Sequence, residues 1–108
     1  MDVLRSSVSV LAHFDPDVNA PPTDHAANVR KSERLVAQMA TAIAYRERIA
    51  RGLPVVPPRD DLDHAANFLN MVNGKVPSKT MRDAFDMSMV LYTEHELNAS
   101  TFSARVTV

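Results

Sequence analysis

The residue types best suited to chemistry gather near one end of the chain, in Tyr92-Thr-Glu-His-Glu-Leu-Asn-Ala-Ser-Thr-Phe102. One imidazole, His95, stands between two carboxylates, Glu94 and Glu96, just before small and hydroxyl-bearing residues. An imidazole on the apolar side of a helix can donate a hydrogen bond to a substrate oxygen and help polarise a carbonyl. Small neighbours such as Ala99 and Ser100 would let a ligand approach the backbone closely. On residue types alone a plainer role stands beside this one, because histidines near helix ends commonly cap carbonyls or fill space. Ser100 and Thr101 have no paired base in the sequence, which argues against a nucleophile.

Other candidates are weaker. His13, His25 and His64 are single and spread out, with no His-x-x-x-His or Glu-x-x-His spacing, and His95-Glu96 lacks the second histidine of a zinc-protease helix. The chain has no cysteine, so disulfides and thiolate metal sites are excluded, and no metal site is expected. His64, after Asp61 and Asp63, reads as a first-turn surface residue. Arg30, Lys31 and Arg34 could hold a phosphate group, but a solvated helix face explains them better. Met81, Met87 and Met89 suit a partner groove, yet their helical spacing favours core or dimer contact.

The elements that must position this string read as helices. Leu4, Val8 and Leu11 mark a first helix over Val3 to Leu11, although its serines and valines are poor helix formers. Asp15-Pro16 stops it, and Pro21-Pro22 keeps the next segment extended. Thr23-Asp24 caps the longest helix, expected to reach about Arg51. Leu35, Val36, Met39, Ala42, Ile43, Arg46, Ile49 and Ala50 form its apolar stripe; Lys31, Gln38, Thr41 and Arg48 form the opposite, polar face. Glu47 and Arg51 are a favourable i,i+4 pair. Gly52 supplies a left-handed end, and Pro54, Pro57 and Pro58 make a linker.

Asp60 or Asp61 is expected to cap a third helix, with Leu62, Ala65, Ala66, Leu69 and Val72 buried and Asn73-Gly74 closing it. Pro77-Ser78 opens a fourth, placing Met81, Ala84, Phe85, Ser88 and Leu91 on one side that continues to His95. From Leu97 to Val108 propensity does not decide between helix and strand.

Composition bounds the rest. The 108 residues suit one small domain, and 45% hydrophobic content is enough for a modest core. A net charge of −1 with scattered cations gives no footprint for nucleic acid. No stretch approaches the ~20 apolar residues of a membrane span, and no secretory signal is visible, so a soluble cytoplasmic protein is expected. With only two glycines and many helix formers the fold class is all-α.

His95-Glu-Leu-Asn-Ala-Ser-Thr-Phe102 resembles the motif of citrate synthases and the related 2-methylcitrate synthases. Met1-Asp-Val-Leu-Arg-Ser-Ser-Val-Ser9 resembles an internal stretch of that family, and Phe14-Asp-Pro-Asp, Tyr45-Arg, Arg51-Gly and Ala66-Asn-Phe-Leu follow in the family's order. The resemblance covers nearly the whole chain but only a middle portion of the family's length. It implies about five helices from an intertwined homodimer. It implies that residues 1–108 are a partial domain cut at both ends, and the lack of a stop signal before Val108 fits that expectation. Apolar faces would then lack partners within the chain.

The resemblance further implies condensation of oxaloacetate with an acyl-CoA as co-substrate, without metal or redox cofactor. His95 would contact oxaloacetate and Asn98 would line the same pocket. Many family members have histidine at the position of Tyr92 and aspartate at that of Glu94. The form found here resembles 2-methylcitrate synthases, which makes propionyl-CoA a candidate beside acetyl-CoA. The family's enol-stabilising histidine lies in a Gly-Pro-x-His-Gly-Gly loop that this sequence lacks. The proton-abstracting aspartate, a further histidine and the carboxylate-clamping arginines have no matching motif either, so the isolated chain is expected to be inactive. The alternative is a non-catalytic helical binding or assembly module derived from the family.

Overall fold

A computed structural model describes residues 2–93 and 98–107, with backbone alone at Asp2 and Ala99. It contains five α-helices: α1 (Asp2–His13), α2 (His25–Ala50), α3 (His64–Asn73), α4 (Lys79–Thr93) and α5 (Ala99–Thr107). Among the described residues there is no strand, and of the stretch that propensity left open Ala99–Thr107 is helical. The chain divides into two compact units, residues 1–77 and 78–108.

In the first unit α2 packs against both α1 and α3. Its start follows the expected signal: the Ala27 N–H donates to Asp24 Oδ1 at 3.0 Å, satisfying an amide that the helix itself leaves open. Its end is set by Arg51 and by Gly52 at φ 68°, a conformation costly for any residue with a Cβ. The buried apolar side chains are small, namely Ala27, Ala44, Ala65 and Ala66, with Met71. Alanines at a crossing let helix axes approach closely, so these contacts gain dispersion energy without bulk.

The expected stripe on α2 is buried only in part, at half-buried Met39 and Ala42. Val36 and Ile49 are 60% and 66% exposed, whereas Arg48, assigned to the polar face, is only 7% exposed. Burial here follows Ala44 and Arg48, one turn apart, because small size and a hydrogen-bonding guanidinium suit the α2/α3 crossing better than β-branched bulk.

The cap of α3 also differs from expectation. Asp63, rather than Asp60 or Asp61, accepts from the Ala66 N–H at 2.9 Å. Asp61 is instead engaged by Arg59, through Nε at 2.9 Å and Nη2 at 2.7 Å. The expected α3 face is partly correct: Ala65 and Ala66 are buried, Leu62, Leu69 and Val72 are half-buried, and Asn70 and Met71 join the buried set. Gly74, at φ 76°, closes the helix through its N–H to Asn70 O at 2.8 Å.

In the second unit Ser78 opens α4 as expected, its Oγ accepting from the Met81 N–H at 3.3 Å and its carbonyl from the Arg82 N–H at 3.0 Å. No residue of α4 is buried. On the face expected to be apolar, Met81 is 53% exposed and Leu91 71%.

Candidate functional site

The chemistry-bearing string joins α4 to α5. α4 ends at Thr93, whose hydroxyl donates to the Met89 carbonyl at 2.8 Å, a back-bond that satisfies a late carbonyl of the helix. Glu94 to Leu97, and with them His95, lie outside the described residues. Asn98 is described and exposed. Its Oδ1 accepts from the Thr101 N–H at 2.8 Å, and its backbone carbonyl accepts from the Phe102 N–H at 2.9 Å. Together these bonds make Asn98 the N-cap of α5. Ser100 and Thr101 are exposed on the first turn of that helix, and Tyr92 is 82% exposed on α4.

The first unit holds polar groups that the sequence reading did not single out. Arg48 donates through Nε to the Pro54 carbonyl and through Nη1 to the Val72 carbonyl at 3.1 Å. One buried guanidinium therefore ties the proline linker to the last turn of α3, where a cation also complements the helix dipole. Gly74 is required there twice over: a Cβ would sit 2.9 Å from Arg48 Nη1, and φ is positive.

Asn67, on α3, works as a peptide mimic. Its Oδ1 accepts from the Arg59 N–H at 2.9 Å, and its Nδ2 donates to the Arg59 carbonyl at 2.6 Å. This reciprocal pair holds the linker against α3 just ahead of the Asp63 cap. An asparagine inside a helix was the available signal, because its amide competes with backbone hydrogen bonds and usually has a reason to be there.

Asp15 and Asp17, after α1, meet Arg30 and Arg34 of α2. Arg34 bonds Asp15 through Nε at 3.0 Å and Nη2 at 2.8 Å, and reaches Asp17 at 2.6 Å; Arg30 grips Asp17 at 3.1 and 2.6 Å. Hydrogen bonds from Arg30 and then Arg34 hold the Asp17 carboxyl far below the usual carboxylate range. The Arg34 hydrogen bond lowers Asp15 as well, against a smaller opposing effect of burial. Two of the three cations weighed as a phosphate contact are thus already paired with carboxylates, on a helix face where Arg30 is exposed and Arg34 half-buried.

A groove of about 840 Å³ runs along α1, α2 and α3, lined by Val3, Val10, Ala37, Ala40, Tyr45 and Met71 among others. His64 and Asn67 lie on its lining, and His64 is exposed in the first turn of α3, as the sequence implied. Among the described residues no cluster of His, Cys, Asp or Glu is arranged to hold a metal ion. No helix there is long and apolar enough to cross a membrane.

This arrangement of helices is found in known enzymes. The crystal structure of citrate synthase from Pyrobaculum aerophilum superposes with a TM-score of 0.84 and 38% sequence identity, over 94% of this chain and 27% of that one. The family model for the citrate synthase C-terminal domain matches residues 1–108. The chain belongs to the citrate synthase family. Relatives include a 2-methylcitrate synthase of Mycobacterium tuberculosis, 46% identical over 98% of this chain and 26% of that protein. A citrate synthase of Haloferax volcanii is 43% identical over 99% of this chain and 28% of its own length. The chain thus spans about a quarter of the length of the relatives it matches.

Proposed function

We propose that this chain forms part of an enzyme that condenses oxaloacetate with acetyl-CoA or propionyl-CoA, giving citrate or 2-methylcitrate. The observation that carries the reading is the family match across all 108 residues, with relatives of both printed activities at similar identity. In the proposed reaction a base removes a proton from the α-carbon of the acyl thioester. The resulting enol attacks the keto carbon of oxaloacetate, and water then hydrolyses the thioester. No step calls for a metal or redox cofactor.

The segment's share of this work is one wall of the oxaloacetate site. His95 donates a hydrogen bond to oxaloacetate, stabilising charge that develops on the keto oxygen, and Asn98 lines the same pocket. Removal of the α-proton needs a base that the family resemblance places in other motifs, so the chain alone binds but does not turn over. A homodimer is part of the proposal. Exposed apolar residues in both units support it, among them Val36 and Ile49 on α2 and Met87, Val90 and Leu91 on α4.

A chimera tests the reading. Residues 1–108 replace the matching quarter of the Mycobacterium tuberculosis 2-methylcitrate synthase, and coenzyme A release is followed with oxaloacetate and each acyl-CoA. Activity that His95→Ala lowers by about a hundredfold or more, the scale of losing one donor to a developing oxyanion, supports the role of the segment. A folded chimera that condenses neither substrate overturns it. The ratio of the two rates assigns the acyl group.

A further inference from the structure

Asn73-Gly74 closes α3, and the same dipeptide is chemically labile. Of the chain's asparagines only Asn73 precedes a glycine. With no Cβ on the following residue, the backbone nitrogen can reach the asparagine Cγ. Both residues are exposed, so water has access. The reaction is a ring closure. A solvent base takes the Gly74 amide proton, the nitrogen attacks Asn73 Cγ, and the Cγ–Nδ2 bond breaks as the amide nitrogen gains a proton and leaves as ammonia. Water then opens the cyclic imide at either C–N bond, leaving aspartate or isoaspartate.

The fold holds this reaction back in three ways. The Gly74 N–H donates to Asn70 O at 2.8 Å, so the proton that must leave is already bonded. Asn73 is the last residue of α3, and in a helix the Cα–Cβ bond tilts toward the N-terminus, away from the amide that follows. Arg48 brackets the pair: Nη1 donates to Val72 O at 3.1 Å and lies where a Gly74 Cβ would meet it at 2.9 Å.

We propose that Asn73 is a site of spontaneous deamidation kept closed by the Arg48 clasp, so that local opening of the α3 end sets the rate of modification. The proposal does not depend on the oxaloacetate reading. Its consequence follows from the same contacts. Isoaspartate adds one carbon to the main chain between residues 73 and 74, which moves the Gly74 N–H off the Asn70 carbonyl. Either product adds a negative charge at the helix C-terminus, where the dipole disfavours it. Modification thus loosens the helix end through which Arg48 ties the proline linker to α3.

The 108-residue chain is incubated at mildly alkaline pH in native buffer, across urea concentrations below the unfolding transition, and unfolded. Peptide mapping by mass spectrometry quantifies modification at residue 73, and hydrogen exchange of the Gly74 amide is followed alongside. The native rate is expected at least about tenfold below the unfolded rate, rising with urea in step with Gly74 amide opening. Arg48→Ala should raise the native rate about tenfold, the scale of one lost hydrogen bond from a charged donor. Asn67→Ala, which frees the linker at a different point, should change it less than about twofold.

A native rate equal to the unfolded one, or one that does not follow Gly74 opening, overturns the proposal whether or not the variants fold. Equal acceleration in the two variants overturns the clasp and assigns the protection to the stability of the unit as a whole. An isolated isoaspartate product as resistant to urea as the parent overturns the loosening.

Discussion

The two units differ in how polar groups are used. In residues 1–77 polar side chains act as fasteners. Arg48 bridges a linker and a helix end, Asn67 clips the linker to α3, and Asp15 and Asp17 pair with Arg30 and Arg34. In residues 78–108 the ion pairs Lys79–Asp83 and Arg82–Asp83 join neighbours on α4, and the residue with a proposed substrate role, Asn98, is a helix cap. The lesson is that a unit whose buried apolar side chains are mostly alanine takes its definition from directed hydrogen bonds, while in the unit carrying the motif α4 buries no residue at all, although apolar side chains are exposed in both.

The largest effect that would break this contrast comes from Arg48. Arg48→Ala removes a charged donor from two carbonyls and is expected to destabilise the first unit by about 3 kcal/mol, since each bond to a charged group contributes about 1.5–3. Urea unfolding followed by far-UV circular dichroism measures it. A change below about 0.5 kcal/mol, the range of ordinary surface substitutions, would show that the bridge is dispensable.

Gly74→Ala comes next, at about 2 kcal/mol, because a Cβ meets the left-handed conformation and crowds Arg48. Double substitution with Arg48→Ala should be less than additive, since removing the guanidinium relieves the crowding. Full additivity would contradict the close approach. Asn67→Ala is expected to cost about 1–2 kcal/mol, two neutral hydrogen bonds' worth, and to raise hydrogen exchange at the Arg59 amide.

The acidic fasteners give the smallest effect, and one visible only at low pH. Asp15 and Asp17 are held below their ordinary value of 3.8 in the folded chain. In the range below that value the unfolded chain binds more protons than the folded one, so their contribution is full above about pH 5 and declines as pH falls through the folded values. Asp61 and Asp83 are lowered too, by Arg59 and by Lys79 with Arg82, and add to the same slope. Arg34→Met should flatten the acid side of the stability profile without abolishing it, as Arg30 still holds Asp17. An unchanged profile would show that the pairing is without thermodynamic weight.

Much of the fold was legible because its punctuation is local. Asp24, Gly52, Gly74 and Ser78 act through bonds to residues within one turn, and the sequence displays those directly. Burial on α2 was harder to read. A periodic stripe identifies a face able to bury, but which face meets α3 depends on the size of Ala44 and on carbonyls that Arg48 meets 6 and 24 residues away. The α3 cap shifted to Asp63 because Arg59 draws Asp61 into a pair, a competition that capping preference alone does not register. At the candidate site the motif named His95 and Asn98 through family resemblance. That Asn98 caps α5 was visible only in the backbone geometry of that helix.

The central claim is that this chain carries part of the oxaloacetate site. Calorimetric titration of the folded 108-residue chain with oxaloacetate, beside His95→Ala, tests it most directly. The account expects weak binding in the parent, lost in His95→Ala while far-UV circular dichroism stays the same. Equal binding by both chains, or no binding by a well-folded parent, would contradict it.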